Sequence, residues 1–243
     1  MILILIPVKN EEARIGVVAL SLSEFCSKNL GCDYRLVFID DKSADKTFEI
    51  LKNLNIQHKV VMRNSFDRGK GSALKTAYIL SNSSVKLKDD DLIVFMDGDG
   101  QIDPQEITTF LKLGELFNAD IVIGNKRHKY SRTLYGIKRK IISKGYNFMI
   151  RMLFGLNFED TQCGLKVFRK KALDEVIADV NIKQFAFDIE LLVACRAKGV
   201  RIIDAPVYIK RKLNRGSVGL KSIIQTFIDT MRIWYRKQKG YYG

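Results

Sequence analysis

The sequence is poor in the residues that build common metal and nucleophile sites. Its two histidines, His58 and His128, are too few and too isolated to indicate a zinc site. No pair of its cysteines has metal-ligand spacing, and the four are scattered at Cys26, Cys32, Cys163 and Cys195. A chain of 243 residues does not need disulfides to be stable, so we expect reduced thiols in a cytosolic compartment.

Several nucleotide and hydrolase signatures are also missing. The chain has no complete P-loop, no Gly-x-Gly-x-x-Gly after its first predicted strand, and no Gly-x-Ser-x-Gly elbow. These absences weigh against a nucleotide hydrolase, a dinucleotide enzyme and a serine hydrolase of the α/β type.

Long hydrophobic runs are absent as well. No uncharged run approaches the ~20 residues that cross a bilayer. The apolar start, residues 1–8, lacks a basic leader and a small-residue cleavage site, so we interpret it as a first strand and not as a signal peptide. Any membrane contact is therefore expected to be peripheral.

Charge is present in excess of one sign. The chain carries 41 basic and 27 acidic residues, a net charge of +14. This balance favours an anionic partner such as nucleic acid, a phosphorylated substrate or an acidic lipid surface. The densest basic stretch runs from residue 126 to residue 144.

Apolar runs alternate with segments of helical periodicity along most of the chain. Strands are predicted at 2–6, 34–39, 60–62, 92–96, 119–123, within 161–168 and at 201–208. Helices are predicted at 13–26, 48–54, 68–80, from 104, at 136–154, 182–198 and 219–239. This alternation predicts an α/β fold with a mostly parallel sheet, and Pro206 suits an edge strand.

The stretch at 92–101 organises the prediction of function. A continuous apolar run is followed at once by Asp97, Gly98, Asp99, Gly100 and Gln101. Ligands of open α/β sheets bind at the carboxyl ends of strands, and carboxylate and amide oxygens suit Mg²⁺ or Mn²⁺. Asp-Gly is also common turn chemistry, so this pattern alone is a weak signal.

Other polar groups follow neighbouring strands. Asn10 and Glu11 follow the first strand, and Asp40 and Asp41 end the second. Carboxylates at such a crevice bind ribose hydroxyls or a base edge, a role that we expect for Asp41, whereas helix capping is expected for Ser43 and Asp45. The turn at 68–71, with Lys70, resembles a phosphate-binding turn at a helix start.

Seven motifs in order resemble the inverting family-2 glycosyltransferases, in particular the dolichyl-phosphate mannose and glucose synthases. The resemblance extends to about residue 208 and rests on the segments 6–11, 40–47, 69–73, 97–101, 124–127, 160–168 and 187–192. It implies a GT-A fold with a Rossmann-like, mostly parallel central sheet flanked by helices. It also implies one catalytic domain, divided into a nucleotide-sugar half (1–124), an acceptor half (125–218) and a basic amphipathic tail (219–243).

The same resemblance implies roles for individual residues. Asp97, Asp99 and Gln101 would hold Mg²⁺ or Mn²⁺ and the donor diphosphate. The donor site would contain Pro7, Asn10, Glu11, Asp40, Asp41, Lys70, Asp97 and Gln101. The acceptor phosphate would be held by Arg127, Arg139, Ser143, Arg211, Arg215 and Lys221. The catalytic candidates are Asp99, Arg127 and Asp160.

One loop departs from the family pattern. Residues 211–221 contain Gly216-Ser217-Val218 without a lysine after the serine, so Arg211, Arg215 and Lys221 are substitutes for the usual loop residues. No transmembrane hairpins follow, which is typical of the catalytic-domain-only type.

The resemblance implies transfer of a hexose from GDP-mannose or UDP-glucose to a polyprenyl or dolichyl phosphate. We expect the enzyme to be cytoplasmic and to bind peripherally to the anionic surface of a membrane, on its cytoplasmic face. A phosphate acceptor is already anionic and needs no strong base, whereas a saccharide or other hydroxyl acceptor would make Asp160 the base. A basic nucleic-acid-binding domain is the second alternative, but it does not explain the acidic strand ends, so no nucleic-acid partner is expected.

Overall fold

The computed structural model of the chain describes residues 1–30, 33–65, 68–132, 137–210 and 220–243. At 137–144 and 220–221 it describes the backbone alone. Among the predicted acceptor-phosphate residues, only Arg127 therefore has a described side chain. The others lie outside the described residues or side chains: Arg139, Ser143, Arg211, Arg215 and Lys221.

Seven strands of the described chain form one sheet in the order β3-β2-β1-β4-β6-β5-β7. The strands are β1 Ile2–Val8, β2 Tyr34–Asp40, β3 Lys59–Arg63, β4 Leu92–Met96, β5 Ile121–Asn125, β6 Leu165–Arg169 and β7 Ile202–Pro206. All pairings are parallel except those of β6, which runs antiparallel to both β4 and β5. Pro206 lies on the edge strand β7, as predicted.

Eight helices in the described residues connect and cover these strands. They are α1 Ile15–Asn29, α2 Thr47–Asn53, α3 Lys70–Val85, α4 Gln105–Leu116, α5 Ile137–Phe154, α6 Lys170–Ile177, α7 Phe187–Ala197 and α8 Leu220–Gln238. Helix α6 was not predicted because it follows β6 without a loop. Its buried Ala172, Leu173, Val176 and Ile177 nevertheless have helical spacing.

The sheet separates two hydrophobic cores. Successive residues of β1 alternate between them: Leu3 and Leu5 belong to one core, and Ile4 and Ile6 to the other. Helices α3 and α7 cover the first face, and α1, α2 and α4 cover the second. This three-layer arrangement leaves the carboxyl ends of β1, β2 and β4 at one edge, where the loops that follow them can meet.

The predicted helix at 182–198 is shorter than expected, because its first residues form a loop. Glu190 of α7 is fully buried, and its carboxylate accepts hydrogen bonds from the backbone N–H groups of Asn181 (2.7 Å) and Ile182 (2.6 Å). Its other oxygen accepts from Arg236 Nη1 at 2.7 Å and from Tyr242 Oη at 2.6 Å. One carboxylate therefore joins α7, the loop before it and the C-terminal segment.

The C-terminal segment is integrated into the fold through this contact. Ile233 of α8 and Tyr242 are fully buried in the first core, and Trp234 packs against that core while partly exposed. One face of α8 is therefore buried in the interior, so a truncation that removes α8 would also remove part of the core.

Glu190→Gln should lower the free energy of unfolding by about 3 kcal/mol, because an amide nitrogen would face two of the four donors that now share the carboxylate. Urea unfolding followed by circular dichroism measures this loss. Glu175→Gln, at an exposed position of α6, is the matched control. Equal stability of the two variants would contradict the role of Glu190.

Candidate active site

The loops after β1 and β2 are joined by hydrogen bonds at the carboxyl edge of the sheet. Asn10, at a φ of 52°, donates its backbone N–H to Ser43 Oγ at 2.9 Å and accepts from the backbone N–H of Ala44 at 2.8 Å. Glu11 N–H donates to Thr47 Oγ1 at 2.8 Å. The two loops thus form one polar wall. The prediction that Ser43 and Asp45 cap the following helix was wrong, because the N-cap of α2 is Lys46 and no side chain makes a capping hydrogen bond there; Asp45 accepts from the backbone N–H of Thr47 in the turn before it.

The two aspartates that end β2 have different surroundings. Asp40 is fully buried, and both of its carboxylate oxygens lie 3.3 Å from the backbone N–H of Ser43. Asp41 accepts from the backbone N–H of Gly69 at 2.9 Å, from Asn64 Nδ2 at 3.0 Å and from Lys9 Nζ at 3.0 Å. Asp41 therefore holds the turn that opens α3, which is a contact that the sequence did not indicate.

Lys70, the first residue of α3, lies between two carboxylates. Its Nζ is 2.9 Å from Asp97 Oδ1 and 3.3 Å from Asp188 Oδ2. Burial disfavours the ammonium, but Asp188 and Asp97 outweigh it and raise the pKa of Lys70 above its ordinary value. Burial likewise opposes ionisation of Asp97, but Lys70 outweighs it and holds the pKa of that carboxyl below its usual range.

A second lysine lies behind this pair, inside the protein. Lys166 of β6 is only 1% exposed, and its Nζ is 2.7 Å from Asp188 Oδ1 and 2.7 Å from the carbonyl oxygen of Cys163. Sequence reasoning assigned no role to Lys166 or Asp188. A lysine within an apolar strand and an aspartate in the first turn of an apolar helix were the available signals.

Two glycines allow the backbone to approach Asp97. A Cβ added to Gly164 would lie 2.1 Å from Asp97 Oδ2, and one added to Gly98 would lie 2.5 Å from Val8 Cγ1. The backbone N–H of Asp97 also donates to the carbonyl oxygen of Gly164 at 3.1 Å. The loop before β6 is thus packed directly against the Asp97 carboxylate, at a distance that no side chain would permit.

Asp99 and Gln101 form a compact turn beside Asp97. Asp99 is buried and accepts from the backbone N–H of Gln101 at 3.0 Å and from Gln101 Nε2 at 2.8 Å. The carbonyl oxygen of Gln101 accepts from the backbone N–H of Lys210, whose Nζ is 2.7 Å from Asp103 Oδ2. The segment after β7 therefore supports the turn from behind.

Asp160 joins the loops that flank β5 and β6. Its carboxylate accepts from the backbone N–H groups of Lys126 at 3.1 Å and Gln162 at 3.0 Å, and Lys126 Nζ lies 3.5 Å away. Arg127 follows, its backbone N–H donating to Asn125 Oδ1 at 2.9 Å. Because β6 is antiparallel, the loop before it lies at the same edge as the ends of β4 and β5.

The donor set at this edge fits a hard divalent cation only in part. Asp97, whose side chain is 34% exposed, already faces the cation of Lys70, and the carboxylate of Asp99 lies in the next turn. Among the described residues, no group of three or more histidine, cysteine, aspartate or glutamate side chains could hold a metal ion. A cation here would therefore need ligands beyond the protein carboxylates, such as the oxygens of a diphosphate.

Nearby thiols offer no nucleophile to this site. Burial raises the pKa of the Cys163 thiol to about 11, and Cys195 is also buried with a raised pKa. Neither forms a disulfide with another described residue. Cys163 packs against Gly124 and serves the interior rather than chemistry.

The family model described as "Glycosyl transferase family 2" matches residues 3–177, well over half of the chain. This protein belongs to that family. The resemblance that the motifs indicated is therefore confirmed, and the chain is a glycosyltransferase. Each of the seven motif segments contributes residues to the carboxyl edge described above or to its contacts.

Curated relatives of this family-2 glycosyltransferase cover most of its length. It is 26% identical over 243 residues to a dolichyl-phosphate beta-glucosyltransferase from Trichomonas vaginalis, a match that covers 94% of this chain and 69% of that protein. It is 27% identical over 220 residues to an uncharacterized protein from Methanocaldococcus jannaschii, with coverage of 89% and 85%.

Solved structures share the fold. Glucosyl-3-phosphoglycerate synthase from Mycobacterium tuberculosis, crystallised with Mn²⁺, UDP-glucose and phosphoglyceric acid, superimposes on this glycosyltransferase with a TM-score of 0.65 and 19% identity. The match covers 95% of this chain and 79% of that one. The predicted GT-A fold is confirmed.

Gly164→Ala should destabilise the family-2 glycosyltransferase by about 2 kcal/mol, because the new methyl group would overlap the Asp97 carboxylate and force it away from Lys70. Thermal unfolding measures the effect. Gly145→Ala, in α5 where nothing lies within 4 Å, is the matched control and should be neutral or stabilising. If both variants unfold at the wild-type temperature, the contact between Gly164 and Asp97 is not tight.

Proposed function

We propose that this family-2 glycosyltransferase transfers a hexose, with inversion, from a nucleotide sugar to the phosphate of a polyprenyl or dolichyl carrier at a membrane surface. The observation that carries the proposal is the juxtaposition of Asp97, Asp99 and Lys70 at the carboxyl edge of the sheet. Relatives named dolichyl-phosphate beta-glucosyltransferase support the acceptor class and favour glucose as the hexose.

The donor nucleoside is assigned to the wall formed by the loops after β1 and β2. Pro7, Asn10 and Glu11 belong to the first loop and its strand, and Asp40 and Asp41 to the second. Asn10 and Asp41 already accept hydrogen bonds within the wall, so they position it and present their remaining acceptor capacity to ribose or base.

The donor diphosphate is assigned to the loop after β4, the strand beside β1. Asp97, Asp99 and Gln101 would hold Mg²⁺ or Mn²⁺, which when bound would stabilise the charge that develops on the departing diphosphate. A solved structure of the same fold was crystallised with Mn²⁺ and UDP-glucose, which supports this assignment. Lys70 adds a cation beside the same oxygens.

The acceptor is proposed to be a phosphate because Asp160, the candidate base, is already engaged by its neighbours. Both of its carboxylate oxygens accept backbone N–H hydrogen bonds, and Lys126 Nζ lies 3.5 Å away, so we assign Asp160 a positioning role. A phosphate oxygen is anionic at neutral pH and attacks the anomeric carbon directly. Arg127, with Arg139 and Ser143, is assigned to hold that phosphate, and Arg211, Arg215 and Lys221 would assist.

A hydroxyl acceptor is the second candidate within the same family. It would require Asp160 to accept a proton from the attacking hydroxyl while its carboxylate also accepts from Lys126 and Gln162. The excess of basic residues is assigned to the phosphates of donor and acceptor and to a membrane surface, and not to nucleic acid.

The membrane assignment rests on apolar side chains that face solvent on α5 and α8. Phe148 and Met152 of α5 are 66% and 72% exposed. On α8 the residues Ile223, Ile224, Phe227 and Ile228, here called the apolar stripe, are each at least 41% exposed. The two helices are in contact, since Tyr146 Oη lies 2.7 Å from Thr230 Oγ1.

In the described chain, no helix combines the length and the apolar character needed to cross a bilayer. An amphipathic helix that lies in the interface buries its apolar face among acyl chains and keeps its basic residues at the head groups. Arg232, Lys237 and Lys239 are the exposed basic residues that follow the apolar stripe. We assign the contact to the cytoplasmic face.

A transfer assay tests the proposed reaction. With polyprenyl phosphate, labelled UDP-glucose or GDP-mannose and Mg²⁺ or Mn²⁺, the protein should form a labelled lipid, and EDTA should abolish the product. Asp99→Ala should reduce turnover by at least about a thousandfold, because charge on the leaving group would lose its stabilisation. Asp90→Ala, at an exposed position before β4 and at the opposite end of that strand, should retain wild-type turnover.

Label in a saccharide acceptor instead of the lipid would replace the proposal with hydroxyl transfer. Full activity in EDTA would contradict the proposed requirement for a divalent metal ion. No transfer to either acceptor from either donor would contradict the proposed function as a whole.

Vesicle binding tests the membrane assignment. The protein should bind anionic vesicles, and binding should fall as salt rises. Ile223→Ser/Phe227→Ser should weaken binding by at least about tenfold, since each substitution removes apolar area from the interface. Val17→Ser/Leu20→Ser, at exposed apolar positions of α1, should bind like wild type. Equal vesicle binding by both double variants would show that the apolar stripe is not the membrane-binding surface.

A further inference from the structure

Four side chains of alternating charge form a continuous row at the carboxyl edge of the sheet. Lys166 contacts Asp188 at 2.7 Å, Asp188 contacts Lys70 at 3.3 Å, and Lys70 contacts Asp97 at 2.9 Å. They come from four elements, β6, α7, α3 and the end of β4, so the row exists only in the folded protein.

We propose that Asp188, anchored by Lys166, is a positioning residue that shares the Lys70 ammonium with Asp97 and keeps it beside the donor site when a divalent cation takes its place on Asp97. The inference rests on the proposed function, because it assigns a cation and a diphosphate to Asp97. It adds two residues, Asp188 and Lys166, for which the motifs indicated no role.

The buried end of the row is rigid. Asp188 is 3% exposed and Lys166 is 1% exposed, and Lys166 is held further by the carbonyl oxygen of Cys163. Removing one member of such a buried pair leaves a charge without compensation, so the two must act together. Asp188 cannot follow Lys70 outward, and it therefore sets a fixed position to which the ammonium returns.

The exposed end of the row can rearrange. Lys70 and Asp97 have side-chain exposures of 18% and 34%, so both reach the site. A lysine ammonium and a divalent cation on the same carboxylate repel each other, so a cation on Asp97 would weaken the contact of that carboxylate with Lys70. Lys70 then keeps Asp188 as its remaining partner and gains a diphosphate oxygen in place of Asp97.

Mn²⁺ binding at saturating UDP, measured by electron paramagnetic resonance, tests the sharing without any turnover. Lys70→Met should tighten Mn²⁺ binding by about three- to tenfold, because it removes the competing ammonium, while UDP binding at saturating Mn²⁺ weakens. Asp188→Asn should weaken Mn²⁺ binding by about three- to tenfold, because the ammonium would then reside on Asp97 alone. The two variants thus shift Mn²⁺ affinity in opposite directions.

The combination of the variants separates sharing from a general loss of negative charge. In Lys70→Met/Asp188→Asn, the effect of Asp188→Asn on Mn²⁺ affinity should vanish, whereas an effect of charge alone would persist. Lys166→Met/Asp188→Asn keeps the interior neutral and should reproduce the Asp188→Asn shift even if the single variant unfolds. Lys170→Met removes a buried, paired lysine at the opposite end of β4 and should bind Mn²⁺ like wild type.

Two kinds of failure are distinguishable. If the unaltered chain binds neither Mn²⁺ nor UDP, the proposed function fails and this inference fails with it. If the unaltered chain binds both, the inference alone is overturned by shifts in the same direction for Lys70→Met and Asp188→Asn. It is also overturned by an Asp188→Asn effect that persists in the absence of Lys70, or by unchanged Mn²⁺ affinity in Lys166→Met/Asp188→Asn.

Discussion

The ammonium of Lys70 lies between the carboxylates of Asp97 and Asp188, and the geometry of the candidate site depends on this shared cation. Asp97 is packed against Gly164, so without a cation its charge would lie in a partly buried setting with little water to stabilise it. Asp188 is buried and needs two cations, one from α3 and one from β6. The site is thereby held open and charged before any ligand arrives.

A path of contacts connects this centre to the C-terminal helix. Glu190 fixes the backbone N–H groups at 181 and 182, and the next residue, Lys183, accepts the backbone N–H of Ser72 at 3.1 Å. Gln184 Nε2 donates to the carbonyl oxygen of Arg68 at 2.9 Å. The first turn of α3 is thus held by Asp41 from one side and by the loop 181–185 from the other. The position of Lys70 depends on both.

This dependence explains which parts of the site could be predicted. Strand ends rich in carboxylates can be predicted from the local sequence, because the signal is an apolar run followed directly by residues such as Asp97 or Asp41. The expected metal and donor carboxylates accordingly lie at one edge of the sheet. Lys166 and Asp188 could not be assigned in the same way, since their partners are 22 and 118 residues away and are chosen by the antiparallel insertion of β6.

The fold shows the same division between local and distant causes. All seven strands were predicted, because each contains an apolar run, which is longest in the central strands that are buried on both faces. The reversal of β6 was not, because strand direction is set by pairing and not by composition. The start of α7 at Phe187 was also missed, since the loop before it is stabilised by Glu190 and by α3, neither of which is visible in the local helical spacing.

Helix α8 has one face anchored to the core and another that is exposed to solvent. Its buried face, with Ile233 and Thr230, is anchored to the core and to α5, and Arg236 is bound to the buried Glu190. Because that face is fixed, the apolar stripe is held outward in one orientation and cannot fold back to cover itself. An exposed apolar surface of this kind costs free energy in water, and it is tolerated where a partner or a membrane covers it in use. The contacts that fix α8 also fix the loop beside Arg68, so the surface that would meet the membrane and the turn that presents Lys70 are parts of one rigid arrangement.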